Sequence, residues 1–253
     1  MRRIWLFFAL VSCGEVREDA GRRTTITVFA ASSLTDAFTE VGRQYESLHP
    51  DVEIVFQFAG SQFNRLQIEQ GAKADVFASA NLQHVRQLRT ANLTQRVEPF
   101  ATTDLVIITP HDSSIKTFGD VTEAHRVVVG QPTSPIGRYT EQSFQKLTLK
   151  GHAPWVETIR QHTVSREPNV RLVRSKVALG QADAAIVYRT DTIDQPNLTA
   201  IAFPKDSQVQ ATYWAATLNP SPSIKHADDF VTHLTGKSGQ ATLRSFGFRP
   251  NDS

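Results

Sequence analysis

The sequence predicts an α/β protein with mostly parallel sheets. Strand-like and helix-like stretches alternate along most of the chain, and the strands read as short unbroken apolar runs. The composition is that of an ordinary globular protein. At 253 residues the chain can form one large domain or two lobes with separate cores. Hydrophobic residues make up 40% of it and charged residues 21%, which argues against a disordered chain. The net charge of +2 is too small to argue for or against nucleic acid, and no dense Lys/Arg stripe follows the first few residues.

The first element is an export signal. Arg2 and Arg3 give a positive start, and residues 4–11 are an uninterrupted apolar run containing Trp5, Phe7 and Phe8. That run is too short to span a bilayer and suits a secretory apolar segment at the short end of the range. It ends in Leu10-Val11-Ser12-Cys13-Gly14, and Cys13 is the only cysteine. This resembles a bacterial lipobox, whose cysteine is lipidated and becomes the first residue of the mature protein. The alternative is an ordinary signal peptide with an incidental cysteine. A lone exported thiol is a liability, which favours the lipobox. Residues 14–23 are polar and aperiodic and read as a tether. Bacterial lipoproteins carry several acyl chains, so stable anchoring is expected.

Beyond the tether, residues 26–30 have the β-branched and aromatic content of a buried parallel strand. Leu34, Ala37, Phe38, Val41 and Tyr45 then recur at helical spacing. His49-Pro50 ends that helix, and residues 52–58 form the next strand. A helix over 62–69 closes at Gly71 and leads to a strand over 76–80. The rhythm continues with strands at 105–109, 127–130 and 184–188, and with helices at about 138–147 and 170–179. No repeat, low-complexity stretch or Pro/Gly-rich linker is visible. The pattern therefore leaves open one compact unit or two lobes between which the chain crosses more than once.

Several strand-to-helix junctions carry small or hydroxyl residues. Ser33 follows Phe29-Ala30, Ser61 follows Phe58-Ala59-Gly60, and Pro135-Ile136-Gly137 precedes the helix carrying Tyr139 and Phe144. A helix N-terminus offers unpaired N–H groups and a partial positive charge, and a serine there adds a hydroxyl donor. One such serine is usually only a cap. Several ends aimed at one cleft make an anion site without Lys or Arg, at the carboxyl ends of the strands where ligands of open α/β sheets gather.

Four blocks then resemble the periplasmic molybdate-binding proteins: Phe29-Ala30-Ala31-Ser32-Ser33-Leu34, Phe58-Ala59-Gly60-Ser61, the run over 67–80 and Ile186-Val187-Tyr188-Arg189-Thr190-Asp191. The resemblance extends from about Thr25 to Phe248. It implies a type II periplasmic-binding fold, two α/β lobes with an oxyanion between them. Lobe I then comprises 24–104 and 211–253, and lobe II comprises 105–210. The family's ligand serines fall on Ser33 and Ser61, its backbone donors on Ile136 and Val170, and its tyrosine donor on Tyr188. Any metal is met through the oxyanion's oxygens, with no direct metal ligand. The chain departs from the pattern at Ile136, which adds bulk near the mouth of the site, at Lys73 in place of a proline, and at Gln62-Phe63-Asn64. None of these changes removes a donor.

The resemblance implies an extracytoplasmic receptor for molybdate or tungstate that serves the permease of an ABC importer. Another tetrahedral oxyanion such as sulfate is the alternative. No cofactor, catalytic activity or nucleic-acid partner is expected, the protein is expected to be monomeric, and the lipid anchor is its only membrane contact. Molybdate carries no proton at neutral pH, so a site made only of donors matches it, whereas protonated phosphate needs an acceptor. None of the five positions is a carboxylate, and discrimination from sulfate is left to cavity size.

Other chemistries find less support. The eight histidines lack ligand spacing and are expected mostly at the surface, and the four tyrosines are scattered, which argues against iron. No Gly-x-Ser-x-Gly elbow marks a hydrolase. Asp75 and Asp191 are expected to pair with backbone. Arg166, Arg171 and Arg174 read as a solvated face that steers anions, and Trp155 and Trp214 as core or hinge packing.

Overall fold

The computed structural model describes residues 23–251. Cys13, the export signal and the tether as far as residue 22 lie outside the described residues. Strand β1 (Thr24–Ala31) is the first element, and its Ile26, Val28 and Ala30 are fully buried. It pairs in parallel with β2 (Val52–Ala59) on one side and β3 (Val76–Ser79) on the other. Between β1 and β2 runs α1 (Thr35–Leu48), which turns Ala37, Phe38, Val41 and Tyr45 inward at the spacing read from the sequence. Phe38 meets the rings of Phe56, Phe100 and Phe230 at centroid distances of 6.1, 5.7 and 6.4 Å.

Helix α2 (Ser61–Glu69) follows β2, and α3 (Leu82–Thr90) follows β3. Strand β4 (Thr94–Pro110) is long and changes partners midway. Through Asp104 it pairs antiparallel with β9 (Gln210–Leu218), and from Leu105 to Ile108 with β7 (Ala184–Tyr188). Its register on β9 shifts between Pro99 and Ala101, where proline has no N–H to give the ladder. The second half of the fold is formed by β5 (Val127–Gly130), α4 (Pro135–Leu149), α5 (Ala153–Gln161), β6 (Thr163–Glu167), α6 (Val170–Ala178) and β8 (Leu198–Ala202). Strand β5 is parallel to β6 and β7, and β8 lies antiparallel along β4. The strand order is β2-β1-β3-β9-β4-β7-β5-β6. Helices α7 (Ile224–Thr235) and α8 (Lys237–Ser245) return to pack beside α1.

The result is a two-lobed type II periplasmic-binding fold. Each lobe has its own parallel strands, and the antiparallel strands β4 and β9 connect them. In the second lobe Phe118 stacks on Trp155 at 4.4 Å, and the Trp155 Nε1–H donates to the Phe118 carbonyl at 2.9 Å. Trp214 likewise packs, on β9 against the Phe29–Phe77 cluster, in keeping with the packing role expected of both tryptophans. No helix among the described residues is long and apolar enough to cross a membrane.

Candidate functional site

The parallel strands aim their carboxyl ends at the cleft between the lobes, and a small cavity sits there. It is lined by Ala31, Ser32, Ser33, Gly60, Ser61 and Ala80 from one lobe and by Ser134 to Ile136, Pro168 to Val170 and Tyr188 from the other. All five positions singled out from the sequence, Ser33, Ser61, Ile136, Val170 and Tyr188, therefore lie on one cavity. Its empty space is about 220 Å³, mouth included. Only about 10 Å³ of it is open to the centre of a water-sized molecule, so it suits a ligand of a few atoms rather than a peptide.

Four helix starts converge on this space. Helix α2 begins at Ser61, with Gly60 as its cap. Helix α4 begins at Pro135, capped by Ser134, whose Oγ accepts from the Gly137 N–H at 3.2 Å. Helix α6 begins at Val170, capped by Asn169, whose Oδ1 accepts from the Leu172 N–H at 3.1 Å. A 3₁₀ turn over Ser32–Leu34 leads into α1. In α4, Pro135 has no N–H, Gly137 donates to the cap, and Arg138 donates to the Ser134 carbonyl. The Ile136 N–H, on the second residue of α4, is the donor of that turn left for a ligand, and the N–H groups of Val170 and Ser61 lead α6 and α2 from the first residue.

The two serines do not cap their helices as the sequence suggested. Ser61 is already the first residue of α2, and Ser33 lies inside the 3₁₀ turn. Each instead accepts a hydrogen bond from the protein. Ser61 Oγ takes the Ala80 N–H at 3.1 Å, and Ser33 Oγ takes the Tyr213 hydroxyl at 2.9 Å. With an acceptor position used, each hydroxyl keeps its own proton for something in the cavity. Tyr188 adds a third hydroxyl, fully buried and without a hydrogen-bond partner. Burial holds its phenol well above its ordinary pKa, so it remains a neutral donor.

Ile136 is more accommodating than its size suggested. Its side chain is buried, and its Cγ2 packs over Gly130, where an added Cβ would stand only 2.5 Å away. Much of its bulk thus goes into the lobe and not into the mouth. Gly137 is required by close approach, because a Cβ there would lie 1.9 Å from the Gln131 carbonyl oxygen. Lys73 is exposed, as expected of a surface change.

The departures after Ser61 do have a role. Gln62 Nε2 donates across the cleft to the Pro168 carbonyl at 2.6 Å. Asn64, fully buried, donates to the Ala30 carbonyl at 2.9 Å and ties α2 to β1. The arginines also differ from the expectation of a purely solvated face. Arg166 is exposed on β6, but Arg171 reaches from α6 to the other lobe. Its Nε donates to the Ser32 carbonyl at 2.8 Å, and its Nη2 pairs with the Asp36 carboxylate. Arg174 donates to the Asp191 carbonyl oxygen at 3.2 Å.

Asp75 and Asp191 pair with backbone as expected. Asp75 accepts from the Thr27 N–H at 2.8 Å and Asp191 from the Tyr188 N–H at 3.2 Å. Burial pushes the Asp191 carboxyl up to about 7, against the lowering influence of Arg174. His84 is an exception to the surface placement expected of the histidines. It is buried, and burial lowers its pKa to about 4.

Tyr213 is the residue that sequence reasoning missed, and it also changes the tyrosine argument. Tyr139, Tyr188 and Tyr213, far apart in sequence, stand together, with centroids 6.3 Å apart for the first pair and 5.8 Å for the second. Clustering does not make them iron ligands. Tyr139 is engaged with the Thr212 backbone and Tyr213 with Ser33, and burial holds all three phenols above their ordinary pKa, opposite to what a phenolate ligand needs. No group of three or more His, Cys, Asp or Glu side chains able to hold a metal ion occurs among the described residues.

Comparison with known proteins agrees with this geometry. The family model for bacterial extracellular solute-binding protein matches residues 26–249. The molybdate-binding protein ModA of Mycobacterium tuberculosis (strain ATCC 25618 / H37Rv) is 35% identical over 96% of this chain and 94% of its own length. The ModA of Haemophilus influenzae is 31% identical over 88% of this chain and 89% of its own. Among solved structures, the substrate binding domain of a putative molybdenum ABC transporter from Clostridium difficile superposes with a TM-score of 0.70. It shares 26% identity, with 90% of this chain and all of that chain covered.

Proposed function

The chain belongs to the bacterial extracellular solute-binding proteins, and from that premise we propose that it captures molybdate or tungstate in the cavity and delivers it to the permease of an ABC importer. The observation that carries this reading is the polarity of the cavity. Ser33, Ser61 and Tyr188 line it with hydroxyl protons that no hydrogen bond within the protein uses, and no carboxylate lines it. An unpartnered buried hydroxyl costs about 1–3 kcal/mol, a cost that a bound acceptor removes. A tetrahedral dianion without protons supplies acceptors in every direction, and the four helix starts add partial positive charge around it. Hydrogen phosphate would bring a proton to a site whose lining offers no carboxylate to receive it.

In this reading Ser33, Ser61 and Tyr188 donate through hydroxyls and Ile136 and Val170 through backbone N–H groups. The ligand's metal is touched only through its oxygens, no cofactor is needed, and no group is placed for catalysis. Lobe I is assigned to 24–104 and 211–253 and lobe II to 105–210, with the polypeptide crossing on β4 and on the approach to β9. The protein works as a monomer outside the cytoplasm, held to the membrane through a lipidated Cys13.

Calorimetry on protein beginning at residue 14, titrated with molybdate, tungstate, sulfate and phosphate, tests the ligand assignment. Tight binding of molybdate and tungstate with much weaker sulfate and phosphate binding is expected. Tight sulfate binding without molybdate binding would overturn it.

A further inference from the structure

We infer that Tyr213 is a positioning residue for the anion site, which donates its phenol proton to Ser33 Oγ and so leaves the Ser33 hydroxyl proton directed at the ligand. This rests on the proposed reading of the cavity as an anion site. Tyr213 does not line the cavity, and nothing in the sequence near it marks it as functional. It sits on β9, one of the two strands connecting the lobes, fully buried and 180 positions from its partner Ser33, with the two oxygens 2.9 Å apart.

A serine hydroxyl has one proton and two acceptor positions, and its rotor turns to whatever its surroundings favour. Ser61 has its direction set by a backbone donor, the Ala80 N–H. No backbone donor among the described residues reaches the Ser33 hydroxyl, and Tyr213 takes that place. The roles cannot be exchanged cheaply. If Ser33 turned its proton onto the phenol oxygen, the phenol proton would have to go to the neighbouring Thr190 hydroxyl, and the cavity would lose a donor.

The same bond ties the ligand site to β9, a strand that joins the lobes.

A double-mutant cycle with Tyr213→Phe and Ser33→Ala, read by calorimetric titration with sodium molybdate, tests the inference. Tyr213→Phe is expected to weaken molybdate binding about tenfold, the scale of one misdirected hydrogen bond to a charged group. In the Ser33→Ala background the same change is expected to have almost no further effect, because Tyr213 acts only through Ser33. Equal losses in both backgrounds would mean that the ring merely supports the fold. Unchanged or tighter binding by Tyr213→Phe would mean that the phenol donates elsewhere, to the neighbouring Thr190 hydroxyl, and either result overturns the inference.

If the wild-type protein binds sulfate in place of molybdate, the functional reading fails and the cycle is run with sulfate, so the two failures are separable. Should Tyr213→Phe not fold, the hydroxyl proton resonance of Tyr213 in the wild-type protein gives the answer. It is expected to move on anion binding and to vanish in Ser33→Ala, and a resonance that ignores the ligand would overturn the inference.

Discussion

Two sets of groups face each other across the same cleft, and they are made of opposite materials. In the cavity the lobes offer hydroxyls and backbone N–H groups, and no charged side chain lines it. At its edge Arg171 of α6 bonds to the Ser32 carbonyl and Asp36, and Gln62 of α2 bonds to the Pro168 carbonyl. The edge contacts are donor to acceptor and complete in themselves. The cavity groups are donor facing donor, and only a ligand bearing acceptors completes them. The edge therefore rewards closure of the lobes, whereas the cavity rewards occupancy. A receptor that must report whether it is loaded needs the second kind to dominate.

The largest expected effect comes from disturbing the geometry of the donor set without removing a donor. In Gly137→Ala the new Cβ has no room beside the Gln131 carbonyl, so the start of α4 must move away from β5 and carry the Ile136 N–H with it. A displacement on the ångström scale at a site of fixed geometry costs about 100-fold, and molybdate affinity is expected to fall by at least that, with a lower unfolding temperature. Affinity within a few-fold of wild type would show that the Ile136 N–H is not part of the shell.

A smaller effect is expected from removing one donor cleanly. Ser61→Ala is expected to weaken molybdate binding by about 1–3 kcal/mol, the scale of one hydrogen bond to a charged group. It also leaves the Ala80 N–H without its acceptor, so the unfolding midpoint should be measured without ligand to separate the two losses. An unchanged affinity would take Ser61 out of the site.

The parts of this comparison were unequally legible in the sequence. The apolar runs of β1, β3, β5 and β7 and the stripe of α1 announce themselves because those residues are buried on nearly every side. The first half of β4 does not, since Thr94 to Thr103 mixes Arg96, Glu98 and Pro99 into a strand whose partner lies more than 100 residues later. Helices α3, α5, α7 and α8 also escaped the sequence reading, two of them with proline or glycine at the start that reads as loop. The five cavity positions came from local junctions plus a family resemblance, and local signals suffice for helix starts. Tyr213 and Arg171 act on groups 180 and 139 positions away, and no local pattern encodes such a pairing.

The smallest effect on affinity is expected at Arg171, and it tests whether closure and occupancy are separate. The Arg171–Asp36 pair is half open to water, with side-chain exposures of 29% and 63%, so its worth is about 0–1 kcal/mol and falls with salt. Arg171→Ala is therefore expected to weaken molybdate binding less than about fivefold. The larger consequence lies in the empty protein. Without the pair the closed arrangement loses a contact that needs no ligand, so small-angle scattering of the ligand-free variant is expected to give a larger radius of gyration than wild type. Added molybdate should return both to the same compact form, because the donor shell is intact. If the variant stays as compact as wild type without ligand, the edge contacts do not hold the lobes together. If it fails to close with molybdate, the edge and the cavity are one device, and the contrast between them falls.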